Sequence, residues 1–147
     1  MPTPRQQQEL GVLLFVANRS MEQRAYDAVV AAGITDITVA QARVASRIGP
    51  DGTRVSDLAE QARVTKQTAA YLVDQLEAAG YVERLPDPTD RRARLVRLTD
   101  HARPAIEAAG AELVRILDEW ADHVGEDRLS AMFETLRDLR ELTDPWR

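Results

Sequence analysis

The chain has 147 residues, 44% of them hydrophobic and 29% charged, with a net charge of −5 and no cysteine. That is one ordinary folding unit with the composition of a globular protein, and disulfides, thiolate metal sites and cysteine-based redox sensing are excluded together. The acidic balance argues against a protein that coats nucleic acid indiscriminately, and apolar runs such as Val12 to Ala17 fall far short of the roughly 20 residues that span a bilayer. With no basic-then-apolar leader, the expectation is a cytoplasmic protein with no membrane partner.

From Gln8 to Ala32 the apolar residues Leu10, Leu13, Leu14, Ala17, Met21, Ala25, Tyr26 and Val29 recur at steps of three and four, which predicts a long amphipathic helix ending at Gly33. A second helix starts at Thr38, whose hydroxyl can cap it, and stops at Gly49-Pro50-Asp51-Gly52. Thr53 to Val55 reads as extended. Ser56 offers an N-cap for a short helix with Leu58, Ala59 and Ala62 inward, and Thr65 caps the next, which carries Ala69, Leu72, Val73 and Leu76 on one side and closes at Gly80. Two short helices separated by about three residues make a helix-turn-helix.

Tyr81 to Leu85 and Leu95 to Leu98 alternate as strands do, around a polar loop from Pro86 to Arg94, which predicts a β-hairpin. Asp100 to Val124, capped by Thr99 or Asp100, and a final segment through Leu129, Met132, Phe133, Leu136, Leu139 and Leu142 both keep helical spacing. Pro104 is expected to bend the first of these locally. The fold class is therefore mainly α, a winged helix-turn-helix flanked by long helices, in one domain spanning residues 1–147.

Charge is unevenly spread. Residues 1–62 carry six basic and seven acidic side chains, residues 63–97 seven and five, and residues 98–147 six and twelve, so basic charge collects in the middle. The middle segment can approach a polyanion and the acidic end should face away, ordinary surface charge being the alternative. On the helix from Lys66, the outward face begins with Thr65, Lys66, Gln67 and Thr68 and continues through Ala70, Tyr71, Asp74 and Gln75. Donors at that end suit base edges, and the Gln67 amide can pair bidentately with adenine; the alternative is a solvated helix start. Three arginines, Arg91, Arg92 and Arg94, fall at the hairpin tip. A slender arm places their guanidinium groups where one can enter a minor groove, and Asp90, two residues before Arg92, can hold its guanidinium; the alternative is a solubilising turn.

The run from Val64 through Leu76-Glu77-Ala78-Ala79-Gly80-Tyr81-Val82-Glu83-Arg84, with Asp87-Pro88-Thr89-Asp90-Arg91-Arg92-Ala93 and Leu95-Val96-Arg97-Leu98-Thr99, resembles the MarR (multiple antibiotic resistance regulator) family. The resemblance implies a homodimeric transcriptional regulator, usually a repressor, on a pseudo-palindromic double-stranded DNA operator. It assigns residues 5–33 and 100–143 to dimerisation helices and 38–99 to the DNA-binding lobe. The helix from Lys66 would enter the major groove, Arg92 the minor groove, and Asp90 would orient Arg92. Tyr71 departs from the arginine that many relatives carry there. A small-molecule effector would lie between the two regions, with Tyr26, Arg43 and Trp120 as lining.

The apolar stripes of the terminal helices, with Trp120, Met132 and Phe133, call for a partner, and a second copy is the economical one; an intramolecular core is the alternative. His101 and His123 lie 22 positions apart on one helix and read as structural, and His123 with Glu119 makes only an i, i+4 pair. No nucleophile-base-acid set, phosphate-cradling glycine loop or metal spacing is present, so neither enzyme activity nor a cofactor is expected. The competing functional reading is a helical interaction module that keeps the fold and binds protein.

Overall fold

The computed structural model describes residues 1–146. Helix α1, Pro4–Ala31, starts four residues earlier than its apolar pattern, because Thr3 and Gln6 cap each other reciprocally and Pro4 is pre-set for the first turn. Only its second half meets the body of the protein. Val29 is buried there, whereas Leu10, Val12, Leu13, Leu14, Phe15 and Val16 are exposed. Helix α5, Arg103–Val124, packs along this inner half. A single guanidinium joins the two helices: Arg24 donates to Glu112 at 2.6 and 2.9 Å and to Glu119 at 2.6 Å. The fork geometry of arginine suits this double grip, and it holds the Glu119 carboxyl below its usual range.

Helix α2, Val39–Ala45, has a second capping box, between Thr38 and Gln41. Helices α3, Val55–Ala62, and α4, Lys66–Ala78, form the helix-turn-helix. Ser56 does not cap α3. The helix begins one residue before it, with Arg54 in the cap position and no side-chain cap bond. Thr65 does cap α4, accepting from the Thr68 N–H at 3.0 Å. Between the helices Arg63 sits in the left-handed region, at φ 56°. A residue with a Cβ pays about 1 kcal/mol or more for that conformation, so the turn itself demands it.

The core lies where these helices meet a two-stranded antiparallel sheet of β1, Val82–Asp87, and β2, Asp90–Leu98. Leu58, Leu76, Val44, Val73 and Val96 are sealed within it, with Ile37, Tyr81 and Val82 around them. The Tyr81 hydroxyl donates to Asp36 at 2.6 Å, and burial with this bond pushes its pKa up to about 12. The hairpin is longer than its alternation suggests. Pairing continues past Leu85–Leu95 and Pro86–Arg94 to Asp87–Asp90, so Arg91, Arg92 and Arg94 lie on β2 and only Pro88 and Thr89 form the turn. Thr53 bridges Val96 through reciprocal bonds of 2.9 and 2.8 Å, which fastens the hairpin to the body. Gly52 makes that approach possible. At φ +93° it takes a backbone disfavoured for other residues, and a Cβ there would stand 3.0 Å from the Leu95 Cβ.

A 3-10 turn at Asp100–Ala102 precedes α5, so Pro104 falls in the first helical turn, where its missing N–H costs nothing, and the expected local bend is not required. Gly125 turns the chain into α6, Glu126–Thr143, which packs on α5 yet buries none of its residues. Met132, Phe133, Leu136, Leu139 and Leu142 are all exposed. No helix among the described residues is long and apolar enough to cross a membrane.

The left-handed Arg63 yields a direct stability test. Arg63→Gly should raise the unfolding free energy by about 1 kcal/mol, read by urea denaturation at fixed protein concentration. A decrease would mean that the arginine side chain makes a stabilising contact outweighing the backbone penalty.

Candidate nucleic-acid interface

Helix α4 divides as its spacing predicts. Ala69, Leu72, Val73 and Leu76 are buried, while Thr65, Lys66, Gln67, Thr68, Tyr71 and Asp74 are exposed and Ala70 and Gln75 half-buried. The two threonine hydroxyls are partly engaged, Thr65 donating to Thr68 at 2.9 Å while it accepts from the Thr68 N–H. Tyr71, 61% exposed, receives a hydrogen bond from the Gln75 amide at 2.9 Å.

Ion pairs fix the hairpin's position relative to α4. Arg84 on β1 reaches back to Asp74 and Glu77 on α4, both at 2.6 Å, and Arg97 pairs with Glu83 across the strands at 2.6 Å. The Arg94 guanidinium donates to the Arg84 carbonyl at 3.2 Å. Lys66, Arg91 and Arg92 are different: each is exposed, and none has a carboxylate partner among the described residues. Structural arginines are neutralised by acids, which leaves cationic charge at the start of α4 and along the outer part of β2.

The expected Asp90–Arg92 side-chain pair does not form. Asp90 accepts from the Arg92 backbone N–H at 3.0 Å and lies 3.9 Å from Arg54, so it shapes the main chain at Arg92 and leaves the guanidinium unheld. The organising carboxylate is Asp87, which is nearly buried. It accepts from the Thr89 N–H at 2.8 Å and hydroxyl at 2.7 Å, closing the turn, and from Arg54 at 2.6 Å, tying the hairpin to the start of α3. Bonds from Thr89 and then Arg54 hold its carboxyl down to about 2. The signal for it was the Asp-Pro-Thr sequence, since an aspartate that bonds the backbone two residues on is a turn-former; Arg54, 33 positions away, left no such mark.

The expected effector residues separate. Tyr26 and Arg43 line one cleft of about 250 Å³ between α1, α2 and α5, together with Glu22, Val29, Arg47 and Leu113. An adjoining cleft of about 350 Å³, lined by Ile37, Ile48, Leu76, Leu98 and Ile106, shares Val29, Ala42, Ser46, Ala109 and Leu113 with it. Trp120 lies elsewhere, with Ala17, His123, Leu129 and Met132, because it faces α6 rather than α2. In the first cleft Glu22 accepts from Arg47 at 2.7 Å and from Arg43 at 3.4 Å, and Tyr26 donates to the Ile37 carbonyl at 2.9 Å. The Arg47 Nε is buried without a hydrogen-bond partner. His123 gains no metal partner from Glu119, which Arg24 holds, and no group of three candidate ligands occurs among the described residues.

An exposed second helix of a helix-turn-helix, a braced β-hairpin beside it and long flanking helices define a winged helix-turn-helix protein. The MarR family's sequence profile matches residues 35–93, from before α2 into the wing. Over these residues the chain is similar to the MarR family. It is 26% identical over 145 residues to the HTH-type transcriptional regulator FarR of Neisseria gonorrhoeae, covering 98% of this chain and 97% of the relative. With the HTH-type transcriptional regulator YdgJ of Bacillus subtilis it shares 32% identity over 85 residues, which is 58% of this chain and about half, 52%, of the relative. Among solved structures, NadR in complex with 4-hydroxyphenylacetate has a TM-score of 0.70 at 24% identity, covering 95% of this chain and 97% of that one. CouR bound to a 23-mer DNA duplex gives 0.63 at 22%, over 95% and 97%, and MarR from E. coli gives 0.67 at 24%, over 88% and 96%. These likenesses share the fold, and the family is one of transcriptional regulators rather than enzymes.

Asp87→Ala should loosen the wing and weaken any duplex binding while leaving the helical content intact. Because the folded carboxyl is held below its ordinary range, the brace contributes in full above about pH 4 and is lost as pH falls toward about 2. Urea unfolding of native and variant proteins from pH 7 downward should give a constant stability difference that shrinks between those limits. A gap that persists at pH 2 would remove the ionised carboxylate from the explanation.

Proposed function

We propose that the chain is a transcriptional repressor that binds a pseudo-palindromic operator as a homodimer and is released by a small-molecule acid. The observation that carries the reading is the set of unpaired cations, Lys66, Arg91 and Arg92, at the exposed donor-bearing start of α4 and on β2, in a protein whose strand arginines Arg84 and Arg97 are matched to acids. A recognition helix reads base edges with its N-terminal residues, so Gln67 is assigned to a base and Lys66 to the phosphate backbone. Arg92 is assigned to the minor groove beside it, with Arg91 and Arg94 on flanking phosphates.

The homodimer follows from what the single chain leaves bare. The outer half of α1 and the face of α6 expose Leu13, Phe15, Phe133, Leu136 and Leu139, a larger apolar surface than scattered side chains account for. Two copies joined by a two-fold axis bury the same surface from both sides and set two α4 helices about one DNA turn apart, roughly 34 Å. The molecules bound to CouR and NadR, a DNA duplex and 4-hydroxyphenylacetate, support a DNA-plus-effector reading for this fold.

The adjoining clefts suit an effector with an apolar body and an anionic head. Ile37, Ile48, Leu76 and Ile106 would surround the body, and the unpartnered Nε of Arg47 would meet the head, drawing Arg47 away from Glu22. The ligand must bind one arrangement of α2 better than the other, since equal affinity would shift nothing.

Anisotropy of a labelled duplex from upstream of the protein's own gene, titrated at two salt concentrations against random competitor, tests the DNA reading. Competitor-resistant binding should weaken with a log-log slope of roughly −0.9 per phosphate neutralised. Absence of binding here and in a randomised-site selection would favour the interaction-module alternative. Arg92→Ala should weaken operator binding without lowering thermal stability, and Gln67→Ala should relax preference at one position per half-site by roughly 1–3 kcal/mol. Small aromatic carboxylates should raise the melting temperature and dissociate the complex, and Arg47→Met should abolish both effects; a response that survives this substitution would rule out Arg47 as the anion's partner.

A further inference from the structure

We infer that Tyr71 is a donor-only contact to DNA, and that Gln75 and Gln41 are positioning residues that set the direction of its hydroxyl. This rests on the DNA-binding reading of α4 and specifies a contact within it.

The direction can be derived link by link from a group that has no choice. A main-chain N–H only donates, and the N–H of Thr38 donates to the Oε1 of Gln41 at 2.9 Å. Gln41 is 8% exposed, so its amide is confined. With the oxygen committed to Thr38, the amide presents its nitrogen to α4, where Nε2 donates to the Oε1 of Gln75 at 2.9 Å. Gln75 must then offer its own nitrogen outward, and that Nε2 donates to the Tyr71 hydroxyl oxygen at 2.9 Å. The phenol oxygen is thereby occupied as an acceptor from inside. Its own proton has no acceptor among the described residues, and the ring is 61% exposed on the same face as Gln67, one turn earlier.

A tyrosine hydroxyl can ordinarily donate or accept. Here it is polarised to donate only. It would favour a phosphate oxygen, or an acceptor on a base edge such as purine N7 or thymine O4, and disfavour the exocyclic amino groups of adenine and cytosine. The relay starts from Gln41 on α2, and Arg43 of that helix and Arg47 just past its end line the effector cleft, so the same short segment touches both sites.

The test is a double-mutant cycle on the operator with the full chain, using Tyr71→Phe, Gln75→Met and the combination, with thermal melts to confirm that each variant folds. Tyr71→Phe should weaken binding about tenfold, the scale of one hydrogen bond to a charged acceptor. Gln75→Met should cost about threefold by freeing the hydroxyl to rotate, and the double variant should bind no more weakly than Tyr71→Phe alone. Gln75→Glu should be more damaging than Gln75→Met when Tyr71 is present, because a carboxylate draws the phenol proton inward; in the phenylalanine background only the added negative charge should register. A randomised-site selection separates the two acceptors: Tyr71→Phe lowers affinity uniformly for a phosphate and alters one position for a base edge. Affinity of Tyr71→Phe within twofold of the native protein, or additive penalties for the two substitutions, would overturn the inference while leaving the DNA reading standing. A native protein without competitor-resistant binding would remove both.

Discussion

The position of the wing depends on one nearly buried carboxylate. Asp87 joins three things that would otherwise move separately: the turn through Thr89, the end of β1 and the start of α3 through Arg54. Charge-assisted bonds of this kind are short and directional, so they fix geometry as well as contribute stability. With the Thr53–Val96 bridge at the other end of the hairpin, the brace leaves the wing little freedom to swing about its base. Arg91 and Arg92 inherit their placement from it, though neither touches Asp87.

Around this brace the basic side chains fall into two groups by partnership rather than by position in sequence. Arg24, Arg54, Arg84 and Arg97 hold elements together and are matched by carboxylates. Lys66, Arg91 and Arg92 hold nothing. The basic residues in the middle of the chain therefore divide: Arg84 and Arg97 are matched by carboxylates, whereas Lys66 at the start of α4 and Arg91 and Arg92 on β2 are not.

The sequence pattern revealed the helices through their buried faces, and the inner face of α4 and the Thr38 and Thr65 caps follow directly from local chemistry. Strand β2 was harder to delimit because Asp90 to Arg94 face water, and a solvated edge shows no apolar alternation. Two neighbouring aspartates invited the wrong choice: Asp90 stood nearer Arg92 in sequence, whereas Asp87 is the one that folding buries. Trp120 was placed with Tyr26 and Arg43 on family layout alone, and helical phase turns it toward α6. The Gln41–Gln75–Tyr71 relay was illegible, since its first link joins residues 34 positions apart that carry no charge or periodicity to advertise them.

Helix α6 buries no residue within the chain, and the outer half of α1 is scarcely better covered. In the proposed homodimer these segments acquire their solvent shielding only from the second copy, so association supplies part of the folding free energy and the melting temperature should depend on concentration. Dilution would then act on the protein as a mild denaturant. Operator occupancy would rise more steeply than in simple proportion to chain abundance, giving the cell a threshold below which freshly made chains leave the promoter open and above which they close it together.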